Sequence, residues 1–297
     1  ELSEYQVGIP LSYARKGDHF YVSTSSDFSD QLPYWVEDGM VWVKLDVPAG
    51  TTHIYLKRDS NAPAPDGDSV FEFFDDFEGD SLDTNKWQWD TSYATVSGGE
   101  LFFNCADDAL ISSKTSITKP ARLVARVKPE STGVAECSWG FMKPDRTYWY
   151  DNTIRLHLAF DGDTQWRTQT RYNGNADLTY DGTQYADYQV YDFRWTGTKV
   201  VYGRRGEANV TITDTSVIPQ DPAVVGIRSK SDAGIYIDYV FVAKYADPEP
   251  SVSVEWVRDA TQETMLSYWI EEWDSTGETA TVWVKVPSIP CLLYTSD

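Results

Sequence analysis

The sequence predicts an all-β protein, and three observations predict it. Apolar residues alternate with a period of two in segment after segment. Turn-forming pairs recur between those segments at short intervals. No stretch carries the periodicity of a helix of ordinary length. In order, "YQVGIPL" places Tyr5, Val7, Ile9 and Leu11 on one side of a strand. "MVWVKLDV" places Val41, Val43, Leu45 and Val47 on one side and Trp42, Lys44 and Asp46 on the other. "HIYLK" adds a short strand. It is followed by "RDSNAPAPDGDS", where Pro63 and Pro65 cannot donate ladder hydrogen bonds and Gly67 loosens the chain. A domain boundary is expected near residue 66.

The middle section continues the pattern through "GELFFN", "ARLVARVKP", "AECSWGFMK", "NTIRLHLAF", "TQWRTQTRY", "YQVYDFRW", "KVVYGRR", "NVTIT" and "GIYIDYVFVAKY". Turn signals part these strands at Ser97-Gly98-Gly99, Asp161-Gly162-Asp163, Asn173-Gly174, Asp181-Gly182 and Thr196-Gly197. So many strands at short spacing predict a sandwich or barrel. A proline-rich hinge at Pro248 and Pro250 closes the section.

A repeat sets the outer plan. "LPYWVEDGMVWVKLDVP" near the start returns near the end as "LSYWIEEWDSTGETATVWVKVPSIP". Two matched blocks in the same order indicate duplication of a small module. The expected domains are residues 1–66 for the first copy, 67–247 for the large β unit and 248–290 for a truncated second copy. The tail "CLLYTSD", residues 291–297, breaks every pattern. It resembles the translation of a sequencing-library adapter at the end of a truncated environmental reading frame, and is set apart from the fold.

Composition narrows the function classes. The chain has 297 residues, 41% hydrophobic and 14% aromatic, enough for a sizeable core. Lys and Arg number 25 and Asp and Glu 46, giving a net charge of −21 that repels nucleic acid and anionic membranes. No apolar run is long enough to span a bilayer. The opening "ELSEYQVGIP" reads as the start of a mature or excerpted fragment, and an extracellular or cell-surface location is expected. The sequence leaves the oligomeric state open. Of three cysteines, Cys105 and Cys137 lie in strand-like text, either bridged or as two buried thiols, and Cys291 lies in the tail.

"YQVGIPLSY", "LPYWVE", "VWVKLDVPAGTTHIYLKRDSNA" and "VFEFFDDFEG" resemble a β module of bacterial and archaeal surface proteins, the domain of unknown function 2341. The second copy is the closer match. The first departs in "HFYVSTSSD", where an arginine-bearing strand is common in the family. "DDFEGDSLDTNKW" and "IYIDYVFVAKY" resemble the opening and closing strands of a concanavalin A-like lectin/glucanase jelly roll. The resemblance implies a jelly-roll sandwich flanked by small β modules. It also implies a structural Ca²⁺ near the meeting of first and last strands, held by the carbonyl near Asp76, the carbonyl of Gly99 and the side chain of Asp238, hard oxygens of the type that ion takes.

A retaining glucanase needs two carboxylates about 5 Å apart. By resemblance they would stand on one strand as Glu-x-Asp-x-(x)-Glu. No strand of the middle section holds that pair: "NTIRLHLAFDGD" offers Arg155 and His157, "AECSWGFMKPD" offers Glu136 alone and "YDFRW" offers Asp192 alone. If Ile154, Leu156, Leu158 and Phe160 point inward, Arg155 and His157 point out, beside Arg167, Gln169 and Arg171 of the next strand. Arginine forks take carboxylates and sulfates bidentately, so an acidic glycan is one expected partner. The alternative is a solvated face whose arginines offset the chain's charge. "RTYWYDN" places Tyr148, Trp149 and Tyr150 in a loop, either stacking on sugar rings or closing the core. His19, His53 and His157 are too scattered for a transition-metal site. The expected function is non-catalytic recognition of a glycan or surface polymer. A purely structural segment and a glycoside hydrolase are the alternatives.

Overall fold

The computed structural model describes residues 1–104, 107–131, 136–148, 150–159, 165–183, 185–207, 209–230, 234–255, 268–274 and 279–284. The described residues fall into two compact units, Glu1–Ser253 and a second one from Val254 onward.

In the first unit the alternating segments become strands. They are β1 (Leu2–Pro10), β2 (Phe20–Ser23), β3 (Tyr34–Glu37), β4 (Met40–Val47) and β5 (Tyr55–Arg58). A one-turn helix α1 (Gly67–Val70) follows. Then come β6 (Phe73–Asp75), β7 (Trp87–Trp89), β8 (Ala94–Ser97), β9 (Glu100–Phe103), β10 (Asp108–Ser113), β11 (Ala121–Pro129) and β12 (Glu136–Met142). The series continues with β13 (Thr153–Ala159), β14 (Gln165–Tyr172), β15 (Asn175–Thr183), β16 (Gln189–Trp195), β17 (Val200–Arg204), β18 (Val210–Ile212), β19 (Val224–Lys230) and β20 (Ile235–Lys244).

Two large sheets face each other. One has seven strands in the order β15-β14-β13-β12-β19-β10-β7, and the other has eight, running β18-β17-β16-β11-β20-β9-β8 with β6 also paired to β20. Their inner faces share one apolar core, in which Trp139 of the first sheet meets Phe193 of the second at 4.8 Å and Phe141 meets Trp195 at 5.3 Å. This is the expected all-β sandwich, stitched by first and last strands: Phe73–Asp75 pairs with Val240–Val242. Cys137 lies fully buried in that core, while Cys105 and Cys291 lie outside the described residues.

The small module folds around its own cluster of Tyr5, Val7, Ile9, Leu11, Phe20, Val36, Val41, Val43 and Leu45, the alternation read from the sequence. Its other face is the surprise. Trp42, on the polar side of β4 in the sequence reading, is 1% exposed. Trp42 and its cross-strand partner Trp35 dock on the outer side of the eight-stranded sheet, against Phe71, Phe74, Tyr239 and Phe241. Trp35 stands edge-on to Tyr239 at 5.0 Å and to Phe74 at 5.2 Å, and Trp42 to Phe241 at 5.1 Å. Such pairs contribute about 0.5–1.5 kcal/mol each beyond the area they bury.

One buried acid fixes the register of this seam. Glu37 is 0% exposed, takes 2.7 Å and 2.8 Å hydrogen bonds from Trp42 Nε1 and Arg205, and accepts the Tyr239 hydroxyl. Buried Gln6 donates to the Val70 carbonyl at 2.9 Å and accepts from the Lys244 amide at 2.8 Å, joining β1 to α1 and β20. The expected boundary near residue 66 therefore falls inside a compact unit. Gly67 does not loosen the chain there, because a Cβ at that position would meet the Phe74 ring at 2.4 Å. Asp66 caps α1 through the Asp68 and Ser69 amides, which explains the acid at that place.

The second unit contains β21 (Tyr268–Asp274) and β22 (Thr279–Val284), an antiparallel pair. No helix among the described residues is long and apolar enough to cross a membrane.

Candidate functional site

The seven-stranded sheet sorts its residues by pleat. One register row is apolar and faces the core: Ile111, Ile227, Trp139 and Leu156, continuing into Thr168. The neighbouring row points away from that core and reads Leu110, Arg228, Ser138, His157, Arg167. The next row on the same face reads Ser112, Gly226, Gly140, Arg155, Gln169, Leu178. Arg171 lies one row further along β14, opposite Thr153. The expected set Arg155, His157, Arg167, Gln169 and Arg171 is thus brought together on adjacent strands. Ile154 and Leu156 face inward as predicted. Leu158, Phe160 and Trp166 have no described side chains.

This face is no solvated surface. Arg155 and Arg167 are each 7% exposed, Arg228 is 4% and His157 is 2%. A buried cation is tolerated only with partners. Arg228 forms a two-point bond to Asp108 at 2.9 Å, and Arg155 donates from Nε to Gln169 Oε1 at 2.8 Å. Burial and the charges of Arg155, Arg167 and Arg228 hold His157 well below the ordinary imidazole range, so it is neutral at pH 7. Gly140 on β12 is required by its neighbours. Its φ is +153° and a Cβ there would meet the Ile154 carbonyl at 2.2 Å.

The rim reaches water. Tyr148 is 52% exposed and Tyr150 37%, so both stand in a loop without closing the core. The Arg171 guanidinium lies over the Tyr150 ring at 5.3 Å and reaches Asp151 at 3.6 Å. Trp149 lies outside the described residues. Arg228 was missed in the sequence because "AVVGIRSK" was not read as a strand. The inward alternation of Val225 and Ile227 was the available signal. Asp108, its partner on β10, was missed for the same reason.

The second expected site lies at the opposite sheet. Asp238 on β20 and Asp76 after β6 are both close to Lys16, a residue of the small module's β1–β2 loop. Lys16 Nζ is 2.8 Å from Asp238 and 2.9 Å from Glu78, and Arg126 bonds the other oxygen of Asp238. Gly99 sits against the same Glu78, whose carboxylate is 2.9 Å from a would-be Cβ. The three expected ligands are therefore neighbours, but the residues as placed do not fit a calcium ion. Two cations already hold Asp238, and an ammonium stands among the carboxylates. Burial works against the Lys16 charge, yet Asp238 and Glu78 outweigh it and hold the ammonium above its ordinary range. Among the described residues no group of three or more His, Cys, Asp or Glu is arranged to hold a metal.

A family model described as a domain of unknown function (DUF2341) matches residues 20–91 and 253–295. The matches fall on the two copies of the repeat, the first continuing through α1 and β6 into β7. Among solved structures, an endo-β-1,3-glucanase from Pyrococcus furiosus is 14% identical with a TM-score of 0.47, covering 60% of this chain and 95% of that one. A Bacillus licheniformis β-glucanase is 15% identical with a TM-score of 0.47, covering 59% of this chain and 98% of that one. No curated protein sequence matches the chain.

Proposed function

We propose that the protein is a non-catalytic binding protein of the cell surface that recognises an acidic saccharide on the outer face of its seven-stranded sheet. The observation that carries this reading is the part-exposed Arg171 beside exposed Tyr148 and Tyr150, at the rim of a face that gathers Arg155, Arg167 and Arg228 beneath it in a chain with net charge −21. The Arg171 guanidinium fork at the rim suits a carboxylate or sulfate. Exposed Tyr148 and Tyr150 at the rim offer rings on which a sugar stacks. By register the outward positions of β12 and β13 include one acid, Glu136, beside Ser138, Gly140, Met142, Thr153, Arg155 and His157. Hydrolysis by a carboxylate pair would need a second acid on these strands.

The test is a glycan array containing uronate, sulfated and neutral oligosaccharides, probed with the wild type and with Arg171→Ala and Tyr150→Ala. Both side chains are partly exposed, so neither change should unfold the sandwich. Acidic glycans should bind, and Arg171→Ala should weaken binding by about tenfold or more, the worth of a charge-assisted hydrogen bond, with a smaller loss for Tyr150→Ala from the missing ring contact. A wild-type protein that binds nothing on the array would remove the reading in favour of a purely structural segment.

A further inference from the structure

The second copy of the small module repeats the pieces by which the first is fixed to its sandwich. In the first copy the register pairs Tyr34 with Val43, Trp35 with Trp42 and Val36 with Val41. In the second it pairs Tyr268 with Val284, Trp269 with Trp283 and Ile270 with Val282. The cross-strand tryptophan pair recurs at the same place in the ladder. Glu271 follows Trp269 at the interval at which Glu37 follows Trp35, and the register shifts between Ile270 and Glu272. The module's own core explains the Val and Ile positions. It does not explain Trp and Glu: in the first copy Trp35, Trp42 and Glu37 face the sandwich and meet Tyr239, Phe241 and Arg205.

We propose that the β21–β22 pair is a docking element for another β-sandwich of the kind formed by residues 67–253, received on the outer side of that sandwich's eight-stranded sheet. The partner is another sandwich because this chain's own face is already covered by Trp35 and Trp42. Complementarity names the receiving chemistry. It is an aromatic patch equivalent to Tyr239 and Phe241, with a guanidinium equivalent to Arg205 placed for Glu271. This inference does not depend on the saccharide reading, which concerns the opposite sheet.

The experiment extends residues 1–290. Residues 67–253 are appended after Pro290, which gives the second copy a sandwich in the order in which the first copy precedes its own. Hydrogen exchange then reads the appended counterparts of β11 and β20. Protection is expected in the parent extension, and its loss is expected when Trp269→Ala and Trp283→Ala are combined. Because that double variant disturbs the module itself, a milder cycle accompanies it: Glu271→Gln, Arg205→Gln in the appended copy only, and both together. The two single changes should couple by about tenfold in the opening equilibrium, as contacting charges do. Independent, multiplying effects overturn the proposal. So does an appended sandwich that exchanges at unfolded rates in the parent extension.

Discussion

At the scale of single residues, two charges invert what their types suggest. His157 is kept neutral by burial and by the arginines around it. In the unfolded chain it titrates near 6.5. Below that pH the unfolded state binds a proton that the folded state refuses, so stability is intact above about pH 6.5 and falls as the solution is acidified. The slope from this one group approaches about 1.4 kcal/mol per pH unit. Urea unfolding of wild type and His157→Gln at several pH values between 7 and 5 should show a steeper loss in the wild type, and equal slopes would contradict the assignment. Lys16 is the other case. The resemblance to calcium-bearing sandwiches pointed to Asp76, Gly99 and Asp238, and these do lie together. What the sequence hid was a lysine more than two hundred positions from Asp238, delivered by the β1–β2 loop of the small module. Melting temperature should accordingly be indifferent to calcium and to chelator in the wild type. A rise of several degrees with calcium would mean that Lys16 gives way to the ion.

At the scale of elements, the strands that alternate cleanly were legible. β13 and β14 showed their arginine side from "NTIRLHLAF" and "TQWRTQTRY" alone, because period two fixes a face once a core residue is chosen. β10 and β19 were not read as strands: "DALISS" is apolar or small after its first residue, and "VVGIRSK" sets Val225 and Ile227 against Arg228 and Lys230 over only a few positions. Buried edges such as Ser112, Ser113 and Gly226 carry no polar contrast for a pattern to register. Central position in the sheet, not composition, makes those strands. Gly140 tests the element directly. Gly140→Ala should cost about 1–3 kcal/mol through overpacking against β13, measured as a fall in the urea midpoint. An unchanged midpoint would mean that β12 and β13 do not approach as closely as described.

At the scale of the molecule, the prolines near residue 66 stand where the fold has a seam, whereas Pro248 and Pro250 stand just ahead of the division after Ser253. Alternation alone assigns Trp42 to a wet face, and only the docked sandwich reveals why a tryptophan belongs there. Trp35→Ala and Trp42→Ala should each cost about 3–5 kcal/mol, and Glu37→Ala should cost a similar amount by leaving Arg205 without its buried acid. Calorimetry should show the melting of residues 1–253 shifting as one transition. A small module that melts separately while the sandwich keeps its wild-type temperature would argue that the seam contributes little.

The arginine face also sits within a strongly anionic whole, and distance divides the two. At low salt the screening length is long, about 30 Å at 0.01 M against about 10 Å at 0.1 M, so an approaching polyanion first meets the repulsion of the chain's net charge of −21. Only at close range does it meet Arg171 and the guanidinium groups behind it, an attraction that survives a degree of screening that removes the long-range repulsion. Modest ionic strength should therefore speed capture before high ionic strength abolishes it. The profile would rise and then fall, unlike the steady decline of a basic protein on the same polymer.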